Sequence, residues 1–362
     1  MNRSDADEPL DEPVDVDDVV NDLTSTPLEE AVLGLPTDPV ERRERIKDLI
    51  DTIKEYADKL EVDDTSRGDV KILSRTLREL RYAFKVFTPY RGRRKVTVFG
   101  SARTPPDDPT YQLAIEFGRQ MAAHHWLIVT GAASGIMEAG HRGAGREHSM
   151  GLNIMLPFEQ YANPIIAGDE KLVHMKYFFT RKLMFVKECH AVCLLRGGFG
   201  TLDEGLEVLT LLQTGKRDPV PVVFLEAEGE SYWRDFDAYV RKQLLGNGMI
   251  SAEDLSLYKV TTDVAEAVAE TLDFYRVYHG MRFVRNKLVF RLNEPISEEL
   301  LAAINDEYAD ILKKGKFAQR EALGEEEDEP YLAGKPRLVF QFNRRNLGRL
   351  RQLIDTLNTG RV

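Results

Sequence analysis

Between residues 92 and 280 short β-branched apolar runs alternate with amphipathic helical stretches, and this alternation restricts the fold more than any other feature. Strands are predicted at 96–99, 126–130, 151–155, 171–175, 191–195, 220–225 and 258–261. Helices are predicted at 109–124, 136–147, 178–188, 201–213, 232–245 and 263–278. Strands that are apolar on both faces belong in a parallel sheet covered by helices on both sides. Right-handed crossovers then give an α/β, doubly wound, Rossmann-like domain over about 92–280.

The flanking segments read differently. Residues 1–38 form an acidic tail expected to be disordered, with one short helix at 28–34. Residues 39–91 read as a helical hairpin. Ile46, Leu49, Ile50, Ile53, Ala57 and Leu60 fall at helical spacing, as do Val70, Leu73, Leu77, Leu80, Phe84 and Phe87, and Pro89 ends the second helix. Such a stripe needs cover from the next domain or from a partner chain. Residues 281–362 read as a small α+β appendage of β-α-β-α order: strands at 287–292 and 337–342, helices at 297–313 and 346–358.

Composition limits the partners. The net charge of −11 disfavours nucleic acid. No apolar run approaches the ~20 residues that span a bilayer, and the acidic first residues lack signal-peptide order, so no membrane partner and a cytoplasmic location are expected. Residues 5–18 hold eight carboxylates and 325–329 read EEEDE; both stretches are expected to be solvated and mobile. The basic run at 91–95 is read as a solvated linker. Cys189 and Cys193 are too few for a disulfide framework or a zinc site and are read as core filling. His124 and His125 suit a helix end rather than catalysis.

Ligands of open α/β sheets bind at the carboxyl ends of strands, and three such ends carry special residues. The first is Gly100-Ser101, where Ser101 and Arg103 can reach a phosphate or base. The second, Gly131 to Glu138, leads through Ser134 and Gly135 into Met137 and Glu138 at a helix N-terminus, where free N–H groups attract anions. The third is Arg196-Gly197-Gly198-Phe199-Gly200-Thr201-Leu202-Asp203-Glu204. Its glycines let backbone N–H groups close on an oxyanion, and Thr201 opens a helix. Glu204, in the first turn, suits ribose hydroxyls better than a phosphate, whereas Asp203 should face away. Arg181 and Lys182 stand early in the preceding helix, where cations oppose the dipole unless an anionic ligand binds. Neither a G-x-G-x-x-G fingerprint nor a P-loop occurs, which disfavours a nicotinamide dehydrogenase and a P-loop NTPase.

At these residues the chain resembles the Lonely-Guy family, whose members once carried the label lysine decarboxylase. That family shows P-G-G-x-G-T-x-x-E, an upstream Arg-Lys pair and a G-G-G-x-x-G-[IL]-M turn. Here RGGFGTLDE stands at 196–204, Arg181-Lys182 upstream, and TGAASGIME at 130–138, so the likeness covers about 92–275 and suggests the longer bacterial type. The resemblance implies a phosphoribohydrolase: a nucleoside 5′-monophosphate and water give free base and ribose 5-phosphate, with no metal or cofactor. It implies that Gly197, Gly198, Gly200 and Thr201 hold the phosphate. Glu204 and Arg181 are then the catalytic pair, and Gly131, Ser134, Gly135, Met137 and Glu138 line the cleft, with Gly100, Ser101 and Lys182 close by. It also implies a homodimer or higher homo-oligomer, with the Arg181 helix near the interface.

Two departures bear on activity. Arg196 replaces the family's proline, and Ala132-Ala133 replace glycines. A non-catalytic nucleotide sensor, with the flanking segments as transmitters, is the alternative reading. The sequence does not specify the base.

Overall fold

A computed structural model of the chain describes residues 44–156, 161–326 and 329–361. The acidic tail and the helix expected at 28–34 lie outside the described residues, as do 327 and 328 of the acidic run.

Seven strands make one all-parallel sheet: β1 (Lys95–Phe99), β2 (Leu127–Thr130), β3 (Ser149–Ile154), β4 (Leu172–Met175), β5 (Ala191–Leu194), β6 (Val222–Leu225) and β7 (Lys259–Thr261). Their order is β4-β3-β2-β1-β5-β6-β7, so the chain reverses direction of travel between β1 and β5. Two helices precede the sheet, α1 (Lys47–Val62) and α2 (Arg67–Phe87). The connecting helices are α3 (Pro109–Ala123), α4 (Ile136–Ala144), α5 (Phe178–Glu188), α6 (Phe199–Gln213), α7 (Tyr232–Tyr239) and α8 (Val264–Asp273). The period-2 alternation of the strands divides two cores. Val96, Val98 and Cys193 pack under α3, α4 and α8 with Phe117, Ala139 and Val268. Phe99, Val192, Leu194 and Cys189 face Ala83, Phe185, Val208 and Trp233 of α2, α5, α6 and α7. The doubly wound class is therefore observed, and both cysteines are free and buried. α3 and α4 cross so closely that a Cβ on Gly143 would sit 1.9 Å from the Ile115 carbonyl oxygen. Among the described residues no helix is long and apolar enough to cross a membrane.

The two N-terminal helices differ from a self-covering hairpin. α1 buries no residue, and Leu49, Ile53, Leu73 and Leu77 remain exposed. Only the C-terminal half of α2 is covered, through Glu79, Ala83 and Phe87. The apolar stripe continues past the point where the sheet domain can reach it.

The appendage is a four-stranded antiparallel sheet in the order β10-β11-β9-β8, comprising β8 (Tyr278–Val284), β9 (Lys287–Leu292), β10 (Leu312–Arg320) and β11 (Arg337–Phe342), with α9 (Glu298–Glu307) and α10 (Leu347–Thr359). Two of these strands went unread in the sequence. β8 falls across the expected end of the helix at 263–278 and the 280/281 boundary. β10 occupies the end of the helix expected at 297–313, which stops at Glu307. Asn305 binds both the N–H (2.9 Å) and the carbonyl (3.1 Å) of Phe317, and Gly315 takes a φ of +80°, so the lysine-rich segment turns back as an edge strand.

Two charged segments are also less solvated than their sequences suggest. Lys95 is buried at the head of β1, 3.7 Å from Glu188, and Arg94 stacks on Tyr275 at 3.6 Å. Burial pushes the Lys95 ammonium down to about 8. In the acidic run, Glu326 is buried between Arg291 (3.0 Å) and Arg337 (3.0 Å), while Glu329 pairs with Arg282 at 2.6 Å. The run supplies carboxylates to arginines on β8, β9 and β11, which composition alone does not reveal. His124 caps α3 and His125 follows at a φ of +64°, the helix-end placement read from the sequence.

Candidate active site

The loops leaving β1 and β5 lie side by side at the reversal of strand order, where open α/β sheets bind ligands. The Ser101 N–H donates to the Arg196 carbonyl at 3.1 Å and joins them. A cleft of about 770 Å³ opens there.

One wall is the glycine loop. Gly198 stands at the N-cap of α6 with no capping side chain, so the first helical N–H groups have no intrahelical acceptor. A Cβ on Gly198 or Gly200 would meet nothing within 4 Å: the hydrogens in their place leave the approach to those N–H groups open. Gly197 has a different role. A Cβ there would lie 2.1 Å from Thr201 Oγ1, so the loop folds onto Thr201 only because this residue has no side chain. The Tyr232 hydroxyl donates to the Gly197 carbonyl at 2.6 Å and fixes the turn from outside.

The opposite wall carries charge. Glu204 is 4% exposed on the first turn of α6. Burial raises its carboxyl to about 7, with Lys182 and Arg181 opposing the rise. Arg181 Nη2 stands 3.9 Å from Glu204 Oε1. Its guanidinium lies over the rings of Phe178 (5.1 Å) and Phe185 (5.6 Å), and burial lowers its affinity for the proton. Arg181 Nε is buried without a hydrogen-bond acceptor among the described residues. The cleft thus holds an apolar-backed cation, a buried acid of raised pKa and open backbone N–H groups, a set suited to a phosphorylated ribose.

Gly100, Ser101, Gly131, Met137, Arg181, Gly197, Gly198, Gly200, Thr201 and Glu204 line this one cleft, together with Arg103. Four expected residues do not. Ser134 turns its hydroxyl to the Ala102 carbonyl at 2.9 Å. Gly135, at a φ of +64°, is needed for close approach, since a Cβ would meet the Ser101 carbonyl oxygen at 2.3 Å. Glu138 points along α4 to Arg142 at 2.8 Å. Lys182 pairs with Asp203 (2.9 Å) and Glu207 (2.5 Å) on α6. Asp203 itself faces solvent, as helical geometry implied. Phe99, Phe185, Phe199 and Leu202 also line the cleft, and sequence reading missed them. Phe199, 93% exposed inside a glycine loop, carried a usable signal, because a large apolar residue has no packing reason to be there.

The two departures have structural accounts. Arg196 does not enter the loop. It bonds Asp108, the Thr110 hydroxyl (3.1 Å) and Glu230 (3.2 Å), so an ion-pair tether stands where the family has a ring-constrained residue. Ala132 takes a φ of +60°, a conformation that L residues adopt at a cost, and its methyl packs in a small buried cluster with Ile166 and Leu172. The turn is braced from below by the buried His141. Its Nε2 lies 3.0 Å from the Met150 carbonyl and 3.1 Å from Thr130 Oγ1, and Nδ1 is 3.2 Å from Asn163. Burial lowers this imidazole to about 4, so it serves as a neutral strut.

Fold and cleft together define a doubly wound α/β protein with a glycine loop lining a cleft at its switch point. Residues 130–271 match the family described as possible lysine decarboxylase. The cytokinin riboside 5′-monophosphate phosphoribohydrolase LOG3 of Arabidopsis thaliana is 28% identical over 193 residues, 51% of this chain and 85% of its own length. The probable cytokinin riboside 5′-monophosphate phosphoribohydrolase LOGL5 of Oryza sativa subsp. japonica is 31% identical over 155 residues, 41% of this chain and 60% of its own. Among solved structures, a molybdenum cofactor carrier protein from Chlamydomonas reinhardtii is 20% identical with a TM-score of 0.35, covering 49% of this chain and 94% of its own. Over its sheet domain the chain is similar to the Lonely-Guy phosphoribohydrolases.

A decarboxylase of the type named in the family description would hold pyridoxal phosphate as a lysine Schiff base. Among the described residues the cleft offers Arg103 and Arg181 but no lysine. The residues present do not fit that cofactor.

Proposed function

We propose that this chain hydrolyses the N-glycosidic bond of a nucleoside 5′-monophosphate, giving the free base and ribose 5-phosphate. The observation that carries the reading is the placement of the buried Glu204 carboxyl on the first turn of the same helix whose N-terminus forms the glycine loop. A phosphate on the N–H groups of Phe199 and Gly200 would set the ribose beside Glu204. The names of the family relatives, which specify phosphoribohydrolases of a riboside 5′-monophosphate, support the same bond as the target.

The chemistry follows from charge. As the C1′–N bond breaks, positive charge develops on the ribose ring, and an ionised Glu204 stabilises it more than it stabilises the neutral ground state. A water adds to C1′ through its oxygen, one of its protons going to the departing base. The phosphate supplies binding energy and orientation remote from the reacting carbon. Arg181, with an unmatched Nε donor, would donate to a substrate oxygen and hold Glu204 in place.

The test is product analysis with AMP, GMP, CMP, UMP and an N6-modified AMP. Release of free base from at least one is expected, and tight binding without base release from any would favour the sensor reading instead. A homodimer is part of this proposal. Phe178 and Phe179 at the start of α5 and Leu206 on α6 are half-exposed beside the cleft, a surface suited to a second copy.

A further inference from the structure

A second cavity, of about 610 Å³, lies where α2 passes the carboxyl ends of β3 and β4. Arg75, Arg78 and Arg81 of α2 line it, with Lys176 just beyond β4 and His174 within it. Elsewhere helical arginines find a carboxylate one turn away, as Arg119 does with Glu116 and Arg241 with Asp237. On α2 the acid one turn from Arg75 is Glu79, and Glu79 turns away. It accepts from the Lys176 N–H at 3.1 Å and the Thr180 hydroxyl at 2.9 Å. It so ties the start of α5 to α2, where the N-cap residue of α5 supplies no capping side chain of its own. Among the described residues, none of Arg75, Arg78, Arg81 and Lys176 forms an ion pair. Three arginines at successive i,i+3 steps repel one another and weaken the helix unless an anion bridges them. Arg forks match phosphate oxygens in pairs.

We propose that this cavity binds a small anion bearing a pyrophosphate-like group, at a site separate from the glycine loop. Four cations around one concavity suit several negative charges on one compact ligand, in a chain whose net charge of −11 would otherwise repel it. Tyr82 and Met155, both half-exposed on the cavity wall, offer apolar surface to the remainder of such a molecule. The site touches the catalytic cleft through Glu79, which lies on its wall and holds the N-terminal turn of the helix carrying Arg181.

Calorimetric titration of the full chain with inorganic pyrophosphate tests this. Binding is expected, weakened at least tenfold by Arg75→Ala, Arg78→Ala and Arg81→Ala combined, and largely retained in the corresponding triple lysine variant. In Glu204→Gln protein, saturating AMP should leave pyrophosphate binding unchanged. Absence of binding, equal binding by the triple alanine variant, or full displacement by AMP would each overturn the proposal. A synthetic peptide of residues 5–18 is the rival occupant; binding of that acidic peptide with none of pyrophosphate would overturn it too.

Discussion

Arg181 Nη2 and Glu204 Oε1 stand 3.9 Å apart in a cleft that buries both side chains. At that distance the pair is attracted without being fully bonded, and burial still dominates the acid, raising it to about 7. Because the fold raises this carboxyl above its ordinary value of 4.5, the folded state holds the proton more tightly than the unfolded chain. Its ionisation therefore lowers stability as pH rises from about 4.5 to about 7. In the proposed reaction, base release depends on the ionised form. The kcat/KM profile should rise through about 7, and the kcat profile should rise at higher pH, because a bound phosphate dianion disfavours the carboxylate further. A profile flat between pH 5 and 9 would remove Glu204 from the chemistry.

Gly197→Ala puts a methyl where 2.1 Å separates it from Thr201 Oγ1. Overpacking of this kind costs about 1–3 kcal/mol, so AMP affinity should fall by roughly tenfold or more. Gly198→Ala, whose Cβ meets no protein atom, should leave the loop intact and act only by crowding the ligand. Calorimetric binding of AMP to the two variants separates loop geometry from access.

The tether at Arg196 gives a different signature. Its partners Asp108 and Glu230 are partly solvated, so Arg196→Ala should change stability by less than about 1 kcal/mol. The start of the loop would lose its lateral hold, and KM should rise several-fold with kcat within about threefold. Steady-state kinetics beside a urea melt distinguish this outcome from general unfolding.

Much of the architecture was legible because β-branched runs and helical stripes alternate without interruption, as at Leu127–Thr130 followed by the Ile136 helix. The cleft was legible for a related reason, since glycine and threonine at a strand end restrict the backbone directly. Side-chain direction was not. Glu138 and Lys182 sit in the motifs, yet Glu138 bonds Arg142 one turn along its own helix, and Lys182 bonds Glu207 on a helix that it meets only in three dimensions. The acidic run at 325–329 was misread for the same reason, as Arg291 stands on a separate strand 35 residues before Glu326. β10 was obscured because a charged helical pattern ran into lysines with only Gly315 to mark the turn.

Ala132→Gly weighs two opposing effects. Relief of a left-handed alanine at a φ of +60° should gain about 1 kcal/mol. Loss of its buried methyl from the cluster with Ile166 and Leu172 should cost about as much. The net change in urea denaturation should stay within about 1 kcal/mol of zero. A loss above about 2 kcal/mol would mean that the methyl, rather than the backbone, holds the turn.

The most direct measurement is free-base release from AMP and the other nucleoside monophosphates by the native chain and by Glu204→Gln, with nucleotide binding followed in parallel. Base should appear with the native chain, fall by about a hundredfold or more in the variant, and leave nucleotide affinity within about tenfold. Tight nucleotide binding by both proteins with no base released by either would contradict hydrolysis and leave a nucleotide-binding protein in its place.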